Sequence, residues 1–73
     1  MAPVQINDLI LLSKSKVIYK VVLINYINNT VTLKPVHGDL VQFGHFNVKF
    51  TDLKNCSILG NTRLNPTLDI LYG

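Results

Sequence analysis

The chain has 73 residues, a formal net charge of +3, 48% hydrophobic and 15% charged residues, which fits one small domain with one core and leaves no room for a second. A single cysteine, Cys56, excludes a disulfide framework and fits a reducing compartment. The longest apolar run, residues 21–24, is far below the roughly 18 residues of a membrane span, and the first residues show no basic-then-apolar leader, so a cytoplasmic protein, neither exported nor membrane-spanning, is expected.

The chain contains no Glu, one Ala and two Gln, so the usual helix formers are nearly absent. Val, Ile and Thr together number 20, and eight residues are Asn, which suits strands and tight turns. An all-β domain follows from composition before any periodicity is considered.

In chain order, residues 6–12 read as a first strand, and Ser13-Lys14-Ser15-Lys16 as a polar loop into a long strand starting at Val17. Asn28-Asn29 between two apolar stretches predicts a two-residue hairpin turn, which pairs Tyr26 with Val31, Ile24 with Leu33 and Leu23 with Lys34. That register places Val22, Ile24, Tyr26, Val31 and Leu33 on a core face. Tyr19, Val21, Leu23, Asn25, Thr30, Thr32 and Lys34 then share the opposite face, polar near the turn and apolar far from it, as in a bent strand serving two sheets of a small barrel. Pro35 is expected to end regular pairing or to sit at an edge.

His37-Gly38-Asp39 reads as the next turn, and Leu40-Val41-Gln42-Phe43 alternates. Phe46, Val48 and Phe50 alternate with the opposite parity, so Gly44-His45 holds either a β-bulge or a further tight turn. Residues 51–54 look like one helical turn, and residues 56–59 a last short strand. Residues 60–73 form an extension, with a short helix over 66–71 as one option, whose Leu64, Leu68, Ile70 and Leu71 dock on the barrel or on a partner.

This order of elements resembles the SH3-like small barrels, which include Tudor and KOW domains, over roughly residues 6–59. The resemblance is carried by Asn7-Asp8-Leu9-Ile10-Leu11, Val17-Ile18-Tyr19-Lys20-Val21-Val22, Asn28-Asn29-Thr30-Val31-Thr32-Leu33 and Phe50-Thr51-Asp52-Leu53. It implies a small antiparallel barrel of about five strands. Many barrels of this class contact RNA, DNA, ribosomes or RNA polymerase. In size and style the chain also resembles small phage-encoded transcription regulators that bind host RNA polymerase.

Catalysis has little to build on. His37, Asp39, His45 and Cys56 lack the spacing of a metal site, and turn or surface histidines are the ordinary reading. Cys56 beside a short apolar strand reads as a small buried hydrophobe. Asp8, Asp39, Asp52 and Asp69 read as turn and cap residues, and no glycine loop suits a phosphate, so no enzyme, cofactor or small-molecule substrate is expected. The aromatics Tyr19, Tyr26, Phe43, Phe46 and Phe50 are mostly claimed by the core, which leaves neither a cation cage nor a base-stacking platform.

The surface expected to bind a partner comprises Lys14, Lys16, Tyr19, Lys20, Val21, Leu23, Thr32 and Lys34, basic enough for an acidic protein patch or a phosphate backbone. The low charged fraction favours a protein partner. The first expectation is therefore a monomeric, non-enzymatic module that regulates transcription by docking on RNA polymerase or an associated factor. Direct nucleic-acid binding and self-assembly through a sheet edge are the alternatives.

Overall fold

The computed structural model describes residues 2–12, 16–37 and 44–72. Five strands, β1 (Asp8–Leu11), β2 (Ile18–Asn25), β3 (Thr30–His37), β4 (Phe46–Lys49) and β5 (Ser57–Asn61), form one antiparallel sheet in the order β4-β3-β2-β1-β5. A 3-10 turn (Phe50–Leu53) links β4 to β5, and a helix, α1 (Pro66–Tyr72), follows. Among the described residues no ladder joins β4 to β5, so the sheet is open. This is the small all-β fold with one helical turn and a C-terminal extension that composition and element order predict. The strand expected over 40–43, Gly38 and Asp39 of the turn expected before it, and Lys14 lie outside the described residues.

The hairpin differs from expectation in a way that re-sorts the two faces. Asn25 Oδ1 accepts the N–H groups of Ile27 and Asn28 at 3.0 and 3.1 Å, an Asx turn that opens the loop three residues before Asn28. Asn29, at φ 55°, closes it, and the first pair is Asn25 with Thr30, so Val31 faces Ile24 and not Tyr26. Leu23 pairs with Thr32 and Val21 with Leu33, leaving Val22 as an extra residue on β2. A bulge of one residue reverses the parity of everything beyond it.

Tyr19 and Val21 therefore turn inward, and Val22 and Tyr26 are not the core residues that unbroken pairing predicts. The core consists of Val4, Ile10, Tyr19, Val21, Val31, Leu33 and Leu53, with Ile24, Phe46, Val48 and Phe50 packed against it. Tyr19 and Phe46 meet edge to face, ring centroids 6.2 Å apart. Pro35 is fully buried, and the β2–β3 register slips once more directly after it, at Val36.

At the other end of the sheet, Asn7 adopts φ 73° and its N–H bonds to the Val21 carbonyl at 2.8 Å, so β1 starts at Asp8 and not at Ile6. Asp8 is buried, and its carboxylate accepts the Gln5 N–H and the Asn61 side-chain amide, both at 2.8 Å. The last strand extends to Asn61, two residues further than expected.

Candidate binding surface

Pairing fixes which side chains share the face opposite the core. Three rows result: Asn25, Thr30 and Lys49; Leu23, Thr32 and Asn47; and Lys20 with Lys34. Thr32 donates its hydroxyl to Asn47 Oδ1 at 2.7 Å, tying the middle row across β3 and β4. Leu23 is 58% exposed in the centre of this polar, cationic field.

Of the residues expected to bind a partner, Lys20, Leu23, Thr32 and Lys34 are brought together here, and Lys16 is exposed in the approach to β2. Tyr19 and Val21 are in the core, 7% and 0% exposed, and offer no side-chain surface to a partner. Asn47 and Lys49 join the face unforeseen. Their signal was in the sequence all the same: if Phe46 and Val48 point inward, Asn47 and Lys49 point outward.

The face is electrostatically one-sided. Asp69 pairs with Lys20 at 3.3 Å, the Asp52 carboxylate accepts the Lys49 N–H, and Asp8 is bound by Gln5 and Asn61. Lys16, Lys34, Lys49, Lys54 and Arg63 make no ion pair with any described residue. Lys49 also borders a shallow, open groove of about 270 Å³ lined by Asn28, Asn29, Phe50 and Thr51. Beside it, Tyr26 stands edge to face on Phe50 at 6.2 Å, and Ile27 is 93% exposed at the hairpin tip.

Lys34 and Lys49 of its rows, without an ion-pair partner among the described residues, leave it able to pair with an anion. Cys56 lies elsewhere, half-buried against the core, and burial pushes its thiol above the usual range, with the Asp8 charge adding to the effect and a backbone hydrogen bond opposing it. That direction keeps the sulfur protonated. Among the described residues, no group of three His, Cys, Asp or Glu side chains could hold a metal ion, and no helix is long and apolar enough to cross a membrane.

The extension completes the surface. Leu68 of α1 sits over Gly60 and Asp69 reaches Lys20, while Leu64, Ile70 and Leu71 point to solvent at 81%, 85% and 65% exposure. Of the four extension residues expected to dock, Leu68 does so on the sheet. Comparisons with protein-family models, with curated proteins and with solved structures find no match for this chain.

Proposed function

We propose that the protein is a non-enzymatic binding module whose outer β2–β3–β4 face docks on an acidic, partly apolar protein surface. The observation that carries this reading is the arrangement of Lys20, Lys34 and Lys49 around the exposed Leu23. Charge supplies steering and register, and the leucine supplies an anchor that excludes water. The partner we propose is RNA polymerase or a factor associated with it, the role being transcription regulation. Resemblance to small polymerase-binding regulators supports that choice, and the basic, apolar face is of the kind it requires.

Nucleic acid is the second reading, favoured by three ammonium groups on one face. The absence of an aromatic side chain from its three rows weighs against base stacking there. One experiment separates the two: chemical-shift titration of labelled protein against polymerase fragments and against a short duplex, each at two salt concentrations. Shifts at Leu23, Thr32, Lys34 and Asn47 with a polymerase fragment support the first reading. Shifts with the duplex alone, lost steeply as salt rises, replace it with the second.

A further inference from the structure

Helix α1 covers one strip of the outer face and leaves the rest open. Leu9 pairs with Lys20 on one side and with Gly60 on the other, so these three positions form one row on that face. Leu68 lies against Gly60, Asp69 holds Lys20 at 3.3 Å, and the Tyr72 ring meets His37 edge to face at 5.9 Å. Leu9 is 0% exposed yet is no member of the core cluster on the other side of the sheet. Leu68, seated over its row partner Gly60, is the α1 side chain on that row.

The cover is lightly held. Seven residues are fewer than a helix needs to persist alone in water, so α1 is helical because it is docked. None of its residues is buried, and its ion pair is open to solvent, with the Asp69 side chain 57% exposed. Its charge is also incompletely matched to the site. Lys20 and Lys34 are direct cross-strand partners, close enough for one carboxylate to serve both, but Asp69 pairs with Lys20 alone.

We infer that α1 is a strap that stands in for the partner: the strip beneath it takes a short, acidic, amphipathic helix of a partner protein, its apolar side chain on the Leu9–Gly60 row and its carboxylate between Lys20 and Lys34. The inference rests on the reading of the outer face as a docking surface and names the segment that fits it. Charge complementarity commits the site to an acidic helix, and the residue pattern of α1, Leu68 and Tyr72 one turn apart with Asp69 beside them, gives the spacing. An incoming helix competes with a tethered one at high effective concentration, so weakening the tether exposes the site without adding any contact.

The test uses the full chain, wild type and Asp69→Asn, titrated with a helix-stabilised peptide that carries Leu-Asp-x-x-Tyr spacing and with the same peptide bearing Lys in place of Asp. The acidic peptide is expected to bind Asp69→Asn roughly two- to fivefold more tightly than wild type, the range set by one exposed ion pair, with shifts at the amides of Leu9, Lys20 and Gly60. The lysine peptide is expected to bind neither. Equal affinity for both proteins, with shifts confined to Lys34, Asn47 and Lys49, overturns the strap and leaves the docking reading standing. Absence of shifts in both overturns the strap, and if polymerase fragments also give none, the docking reading falls with it.

Discussion

Lys20 and Lys34 stand opposite each other as partners across β2 and β3, two like charges side by side on the exposed face, and Asp69 answers only one of them. Like charges directly opposed weaken a sheet. Keeping both is a cost to the free protein that an anionic group placed between them would remove.

Lys34→Glu converts that pair into an attractive one. The expected outcome is a protein more stable by about 0.5 kcal/mol in urea melts at low salt, the gain shrinking at 1 M salt through screening. The same substitution is expected to weaken binding to an acidic partner. A loss of stability at low salt would show that the two ammonium groups do not feel each other.

Val21 and Leu23 are two positions apart and would share a face of a regular strand. Because Val22 is bulged out, they do not: Val21 is 0% exposed and Leu23 58%. Val21→Ala is expected to cost about 2 kcal/mol, the lost burial plus the cavity left behind. Leu23→Ala is expected to change stability by less than about 0.5 kcal/mol while reducing partner binding. Paired denaturant melts of the two variants measure the bulge directly, and equal losses would place both side chains on one face.

The same pair of residues shows where the sequence was legible and where it was not. Strand positions follow from β-branched runs broken by polar loops, and inward Phe46 and Val48 follow from strict alternation. The stretch Val21-Val22-Leu23-Ile24 has no alternation, so nothing local tells which residue is surplus, and a single bulge moved Tyr19 and Val21 from the expected binding face into the core. Three asparagines compete to shape the turn, and Asn25 opens it because its carbonyl oxygen collects two backbone donors. Lys20, Leu23, Thr32 and Lys34 were readable as surface. Lys49 and Asp69 reach that surface only through pairing and docking between segments distant in sequence, which no local pattern carries.

Asn61 joins β1, β5 and the turn that follows. Its amide donates to the Ile6 carbonyl at 3.0 Å and to Asp8 Oδ1 at 2.8 Å, and its side-chain oxygen accepts the N–H of Arg63 at 3.0 Å. Asn61→Leu removes a donor from a carboxylate that is 6% exposed, together with the support of the turn leading to α1. A loss of about 1–3 kcal/mol is expected in denaturant melts. Asp8→Asn in the same background should restore part of it, since the uncompensated charge is then gone. No restoration would locate the cost in the turn instead.

Burial holds the Cys56 thiol in its neutral form, and the sign of the consequence is definite. Unfolding releases a thiol that ionises more readily, so this contribution to stability is complete below the ordinary thiol range and declines as pH rises through it. At pH 8, Ellman's reagent is expected to react more slowly with the folded protein than with the same chain in denaturant, with the two rates converging at higher pH as the folded thiolate forms. Faster reaction of the folded protein would mean a depressed value and a reactive cysteine.

Gly60 is where the sheet meets the strap. Its φ is 157°, and a Cβ built there would lie 2.5 Å from Leu68 Cδ1. Gly60→Val therefore strains the backbone of β5 and also pushes Leu68 away, whereas Leu68→Ala removes the contact and leaves the backbone of β5 untouched. Hydrogen exchange separates the two effects. Both variants are expected to lose protection at the amides of residues 69–72, since a seven-residue helix without its anchor does not persist. Only Gly60→Val is expected to lower global stability further, by about 1–2 kcal/mol from strain, read as faster exchange at Leu9 and Ile10 as well. Full protection of residues 69–72 in Leu68→Ala would mean that Asp69 and Tyr72 hold α1 without its leucine, and the strap would then have to be released at Lys20.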